Sequence, residues 1–384
     1  MIMTSAGHYK TEAIQEVFYG KSIQDTLEEI ISSQGRTKRI AFVTNTSLTK
    51  KGGLADQVKN ALGDSLVGEL QGLKAHSPRA DVISLMRLLK ETKADMVVTL
   101  GGGSVCDATK VACIALENNV RSAGDIGNLA NAAELNSPKV QHIAIPTTLS
   151  AGEYTGFAGI TDESIPRKEL YYHASMVPNI VILDSAMTVD TPDRLFFGTG
   201  IRAVDHCVET WCSVDANPIV EATALRGLQL LVNGLRACKA DHKNLVSRLD
   251  CLVGAWLSIQ GVANGVSLGA SHGIGHILGG TAGMPHGETS CVMLPHVLRY
   301  NAPSNSAQQN ILAEIMGNNK TELADHVQQL VAELELPGRL RDADVPKELL
   351  RTLAEESLLD IWIATNPHPI NTADEIFTLL TEAW

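Results

Sequence analysis

The feature that most constrains the fold is a single change of texture along the chain. Up to about residue 185, short β-branched runs alternate with amphipathic helical segments. RIAFVTN (39–45), DMVVTLGGG (95–103), HIAIPTT (142–148) and NIVILD (179–184) read as buried strands. Between them, GLADQVKNALG and ADVISLMRLLKETK carry apolar residues at helical spacing. Strand, helix and strand in succession predict a parallel sheet wrapped by helices. From about 192 onward the strand pattern stops, and TPDRLFFGTGIRAVDHCVETWCS, IVEATALRGLQLLVNGLRAC and the later segments read as helices. The expected organisation is an α/β domain over residues 1–185 followed by an all-helical domain over 186–384.

Composition narrows the function classes. The 384 residues suffice for two domains with real cores. A net charge of −12 disfavours nucleic acid or an anionic membrane as a partner, because the bulk field attracts neither. No run reaches the roughly 18 uninterrupted apolar residues of a membrane-spanning helix, and MIMTSAGHYKTEAIQ lacks the apolar core of a secretory signal. The seven cysteines (106, 113, 207, 212, 238, 251 and 291) show no paired zinc spacing and read as reduced core thiols. A cytoplasmic protein is expected.

Two polar loops follow strands. TLGGGSVCDATK places Gly101, Gly102, Gly103 and Ser104 between a buried strand and a helix. There, glycines let backbone amides approach a phosphate, and the helix N-terminus favours the anion. The glycine spacing is neither the Rossmann fingerprint nor a Walker loop. Thr147, Thr148 and Ser150 in IPTTLSAGEYT lie at another strand end, where an α/β sheet commonly faces its ligand. Asn45 in VTNTSL stands where a dinucleotide enzyme often carries an acid for the ribose 2′-hydroxyl. Being neutral, it would not repel a 2′-phosphate.

The helical half holds a histidine cluster. His272, His276 and His286 lie in SHGIGHILGGTAGMPHGETS, and His206 lies upstream in GIRAVDHCVE. His272 and His276 are four apart and share a helix face, with His286 in a Gly/Pro-rich turn that could fold back toward it. Such a cluster either holds a divalent metal or supplies imidazoles for proton transfer. Arg202, one turn before His206, decides between these. A metal site calls for a carboxylate there, whereas a guanidinium repels the ion and cannot ligate it. Asp205 is a poor substitute, being roughly 100° round the helix from His206.

These motifs together resemble the iron-containing (group III) alcohol dehydrogenase family, which shares its fold with dehydroquinate synthase and glycerol dehydrogenase. The likeness runs from VFYG through GGGSVCDATK, IPTTLSAGEYT and LPHVLRYN to TNPHPINTADEIF. It implies a dinucleotide-binding α/β domain, a helical catalytic domain, NADH or NADPH as cofactor, and a homodimer. It also implies cofactor contacts from Gly102, Gly103, Ser104, Thr147 and Thr148. Asp107 matches the acid of the family's GGGSxxDxxK pattern, and Lys168 matches a lysine on the cofactor side. Metal-binding members carry TGxDALTHAIE, where this chain has TGIRAVDHCVE: His206 is kept and Arg202 replaces the aspartate. His272 and His286 match the other two ligands, and His276 matches a further histidine close to the substrate. The maleylacetate reductases, which work without metal, also lack that aspartate, and their HxxxHVLGGTxxxPHAETH is similar to HGIGHILGGTAGMPHGETS here. Gly287 replaces the alanine, and Asp107 departs from that branch.

The functional expectation is an NAD(P)H-dependent reductase of a small, carboxylate-bearing oxo or enone substrate, without metal. Arg202 would stabilise the oxyanion and grip the substrate carboxylate bidentately, and His276 or His206 would be the general acid. One alternative is a Zn- or Fe-dependent alcohol dehydrogenase or aldehyde reductase using His206, His272 and His286. The other is a non-redox lyase or a cofactor-binding protein on the same scaffold.

Overall fold

A computed structural model of the chain describes residues 14–33, 38–131, 134–164 and 167–384. The chain divides into two compact units at Asp190/Thr191. The first contains β1 (Glu16–Tyr19), α1 (Ile23–Ser33), β2 (Ile40–Thr44), α2 (Leu54–Leu62), β3 (Leu66–Leu70) and α3 (Arg79–Thr92). It continues with β4 (Met96–Gly101), α4 (Gly103–Glu117), β5 (Gln141–Pro146), β6 (Phe157–Asp162), β7 (Arg167–Tyr172) and β8 (Ile180–Leu183). Six strands form one parallel sheet in the order β1-β8-β5-β4-β2-β3, and β6 and β7 make a separate antiparallel hairpin.

The central strands are buried on both faces, so IAFVT and MVVTLG are continuous apolar runs rather than alternating ones. One face packs Val82, Leu85, Val111 and Ile114 of α3 and α4, and the other packs Leu27, Val58 and Leu62 of α1 and α2. Parallel register pairs Thr44 with Leu100 and Gly101 with Pro146. The carboxyl ends of β2, β4 and β5 therefore bring Asn45, Gly101–Ser104 and Thr147–Ser150 to the same edge of the sheet.

Strands β1, β3, β6 and β7 were not expected from the periodicity. β1 has four residues and is half-exposed, and β3 is half-buried with Gly68 at its centre. Neither has the β-branched run that marks a buried strand.

The second unit is helical among its described residues, as its texture predicts. It comprises α5 (Asp193–Cys212), α6 (Pro218–Ala240), α7 (Leu245–Ser258), α8 (Gln260–Ala263) and α9 (Ala270–Thr281). α10 (His286–Met316), α11 (Leu323–Glu333), α12 (Leu350–Ser357) and α13 (Ala373–Ala383) complete it. Helix α5 runs through the interior and is buried from Phe196 to Cys212. Among the described residues only Leu245–Ala263 is long and apolar enough to cross a membrane, by length and composition. Its Arg248 is fully buried, with the guanidinium 4.4 Å from the centre of the Phe196 ring.

Candidate active site

In the first unit the two polar loops touch. A Cβ placed on Gly102 would lie 2.9 Å from Thr148 Cγ2, and one on Gly103 would lie 3.3 Å from Ser150 Oγ. Only a bare backbone fits beside the threonine, which leaves the first amides of α4 uncovered by side chain. Those amides and the helix dipole make an anion cradle. His76 and Ser77, both with positive φ, support it: His76 N donates to Ser104 Oγ (3.1 Å) and Ser77 Oγ to Ser104 O (2.9 Å). Asn45 stands at the end of β2, its Oδ1 accepting from Ser47 Oγ at 3.1 Å.

The Asp107 carboxylate turns to the chain's own backbone, accepting from Gly159 N at 3.0 Å. Lys110, in the same GGGSVCDATK motif but not singled out by its sequence, is fully buried. Its Nζ donates to the carbonyls of Gly152, Thr155 (2.7 Å) and Phe157 (2.8 Å), tying the second loop to α4. Glu153 is buried nearby, and desolvation pushes its carboxyl up to about 7. Lys168 lies on β7, and its side chain is outside the described residues.

In the second unit, α5, α9 and α10 assemble the histidines. Arg202, Asp205, His206 and Glu209 fall on one stripe of α5, at i, i+3, i+4 and i+7. Glu209 accepts from Gly269 N (3.0 Å), Ser271 N (2.9 Å) and His272 Nδ1 (2.7 Å). Asp205 Oδ2 accepts from Ser271 Oγ and Ser290 Oγ, both at 2.6 Å, and lies 3.4 Å from His272 Nδ1. His206 and His272 are buried and stacked, with ring centres 4.9 Å apart. Desolvation holds both imidazoles well below the usual histidine range, first for want of water and then by neighbouring histidine and Arg202 charge. They are neutral at physiological pH.

The other two histidines sit nearer solvent. His286 is the first residue of α10, directly after Pro285, and is exposed. His276 keeps about a third of its side chain accessible (32 %), and its ring lies parallel to that of His286 at 5.9 Å. His276 Nδ1 pairs with Asp360 Oδ2 at 3.0 Å. The cluster thus has a dry, neutral end and a wet end.

Arg202 joins them. Its side chain is buried, with NH2 at 2.9 Å from His286 Nε2 and NH1 at 3.1 Å from Ser290 Oγ and 3.4 Å from Thr289 Oγ1. Guanidinium only donates, so His286 Nε2 is the acceptor there and its lone pair is engaged. Burial lowers the guanidinium pKa, and the charges of Asp205, Glu209 and Asp360 offset that only in part. Burial, and then Glu209, pushes the Asp205 carboxyl up.

The geometry bears on two expectations. Both terminal nitrogens of Arg202 donate within the protein, which leaves only the edge formed by Nε–H and the second N–H of Nη2 for a substrate carboxylate. Asp205, set aside for its angle from His206, nonetheless gathers with Glu209 and His272 so that one ligand atom from each lies within 4.8 Å of the others. The angular argument compared Asp205 with His206, whereas the relevant partners are Glu209, one turn further along α5, and His272 of α9.

The family's metal does not fit the family's own ligand positions. One of the four is a cation, and a second, His286, accepts a hydrogen bond from that cation. Gly287, which replaces the alanine of the related motif, has a structural reason. A Cβ there would lie 2.6 Å from the Gly198 carbonyl carbon and 2.8 Å from Thr199 N, so glycine alone lets α10 start this close to α5. Glu288 beside it is buried against Arg194.

Comparison with known proteins agrees with both halves. Residues 15–185 match the family described as iron-containing alcohol dehydrogenase, and 196–384 its C-terminal counterpart. Dehydrogenase FUM7 of Gibberella moniliformis is 35% identical over 372 residues, covering 86% of this chain and 87% of its own. The 1,3-propanediol dehydrogenase of Citrobacter freundii is 31% identical over 356 residues (88% and 90%). The crystal structure of maleylacetate reductase from Agrobacterium tumefaciens superposes with a TM-score of 0.83 at 26% identity, covering 99% of each chain. These likenesses set aside the non-redox alternatives: the chain belongs to the iron-containing alcohol dehydrogenase family and is an oxidoreductase.

Proposed function

We propose that the protein is an NAD(P)H-dependent reductase of a small acidic oxo or enone substrate, similar to the maleylacetate reductases, and that it works without a metal ion. The observation carrying this reading is the Arg202 guanidinium donating to His286 Nε2 from the position of the missing aspartate. A metal held there would meet a buried positive charge and lose two of its four ligands.

A nicotinamide cofactor, when bound, supplies the hydride. Gly102, Gly103 and Ser104 would hold its phosphates at the N-terminus of α4, with Thr147 and Thr148 beside them and Lys168 on the cofactor side. Asp107 supports that cradle through Gly159 rather than by direct contact. Neutral Asn45 admits either NADH or NADPH. His276 is the general acid, an accessible imidazole paired through Nδ1 with the Asp360 carboxylate. His206 and His272, held neutral and dry, shape the pocket wall and are not acids. Arg202 and His286 supply the fixed positive charge and donor that replace Lewis-acid stabilisation of the oxyanion. The proposed setting is cytoplasmic, in keeping with seven buried free cysteines, and without nucleic-acid or membrane partners, in keeping with the −12 charge; a homodimer is what the family resemblance implies.

A second reading has one observation in its favour. Asp205, Glu209 and His272 offer a different ligand set, which would suit a metal-dependent alcohol dehydrogenase. Both carboxylates, however, already accept hydrogen bonds from the protein. The two readings separate when NADH oxidation is followed with maleylacetate and with simple aldehydes, before and after exhaustive chelation. Chelator-resistant turnover of the acid supports the proposal. Activity confined to aldehydes and lost on chelation refutes it.

A further inference from the structure

We infer that Asp360 is the positioning residue of the general acid, fixing the ring orientation and tautomer of His276. This rests on His276 having the role given above. Asp360 lies 84 residues further along the chain, in the turn after α12, and both of its oxygens are used. Oδ1 accepts from Trp362 N at 3.0 Å, which orients the carboxylate within its own turn. Oδ2 faces His276 Nδ1 at 3.0 Å.

The turn is not there to bury apolar surface at this point. Leu359 and Ile361, on either side of Asp360, are 84% and 62% exposed. What the turn delivers inward is the carboxylate. Helix α9 is shaped to receive it: a Cβ on Gly273 would lie 3.2 Å from Asp360 Oδ1 and 3.1 Å from Ile363 Cδ1. Gly273 is one turn before His276, so the close approach sits directly beside the pairing.

The chemical consequence follows from the donor inventory. A carboxylate only accepts, so His276 Nδ1 must carry a proton and Nε2 is left to exchange the reacting one. Reduction of the substrate takes hydride from the reduced cofactor and one proton from His276 Nε2. The imidazole then regains a proton from water, for which its exposed position is suited. Asp360 holds the ring in the one tautomer, Nδ1–H toward the carboxylate, that leaves Nε2 facing the reacting proton.

Asp360→Asn separates this role from simple turn capping. Asparagine has one oxygen, and the Trp362 amide and His276 Nδ1–H compete for it. If the oxygen caps Trp362, the NH2 group faces His276 and demands the opposite tautomer. In the full chain we expect kcat to fall about 100-fold, with substrate KM and NADH affinity within about twofold, and Asp360→Glu to recover part of the loss. Long-range 1H–15N spectra of the imidazoles, with the His276 signal identified from His276→Gln, should show Nδ1–H in the wild type and its loss in Asp360→Asn. Gly273→Ala, which pushes on the turn without touching either partner's chemistry, should shift the same signal. A wild-type His276 protonated on Nε2 alone would overturn the inference, as would full kcat in Asp360→Asn. If the wild type instead reduced only aldehydes with a metal, the substrate reading would fail while the tautomer still decided the role of Asp360.

Discussion

The glycine loop and the histidine cluster belong to one family pattern, yet they have fared differently. In the first unit the proposed site is made of backbone and small hydroxyls, and the GGGS and PTT runs that carry the resemblance are both present. In the second, the histidines are retained while one ligand position has changed sign, from carboxylate to guanidinium. Backbone sites tolerate little variation, because a single Cβ fills them. A side-chain site can keep its shape and change its chemistry when one charge is inverted and the neighbours supply compensation. Here Asp205 and Glu209 compensate for Arg202, and Ser271 and Ser290 satisfy Asp205 in turn.

Removing that compensation should have the largest effect. Arg202→Leu removes the cation beside two buried acids, one of which must then stay protonated, and strips the donors from Ser290 and His286; it should cost about 2–4 kcal/mol of stability. Denaturant unfolding at neutral pH measures it. A loss below about 1 kcal/mol would mean that the acids are balanced from elsewhere, and the contrast between the two regions would lose its basis.

The glycine loop answers to a smaller steric change. Gly102→Ala drives a methyl against Thr148, 2.9 Å away, and should weaken NADH binding about 10- to 100-fold, a cost in the range of overpacking penalties. Fluorescence titration reads it. Unchanged affinity would place the phosphates elsewhere.

A further expected effect is a pH dependence in the first unit. Burial holds the Glu153 carboxyl up to about 7, above its unfolded value, so the folded chain keeps a proton that the unfolded chain releases. That contribution is complete below about 4.5, declines as pH rises toward 7, and is gone above it. The Tm difference between Glu153→Gln and wild type should therefore grow in the variant's favour from pH 4.5 to 7.5. A flat difference would contradict it.

Much of this was legible in the sequence, for identifiable reasons. β2, β4, β5 and β8 announced themselves because strands buried on both faces must be apolar throughout. β1, at the sheet edge, is half-exposed, and the β6–β7 hairpin (FAGITD, RKELYY) lacks both a β-branched run and a regular apolar alternation, so no periodic signal marks them. The four histidines and the oddity of Arg202 were visible as local text. The pairing that gives His276 its direction was not, since Asp360 sits in an unremarkable LLDIW turn 84 residues away. Nor was the commitment of Arg202 to His286, which depends on how closely α10 approaches α5 at Gly198 and Gly287.

The central claim is that Arg202 has taken the metal's place. Metal content of the purified chain, by elemental mass spectrometry before and after incubation with Zn and Fe(II), tests it most directly. Arg202→Asp combined with Asp205→Thr rebuilds the metal-binding family text and serves as the comparison. We expect less than about a tenth of an equivalent in the wild type, unchanged by incubation, and approach to one equivalent in the double variant. Near one equivalent in the wild type would contradict the account and return His206, His272 and His286, or Asp205, Glu209 and His272, as candidate ligands.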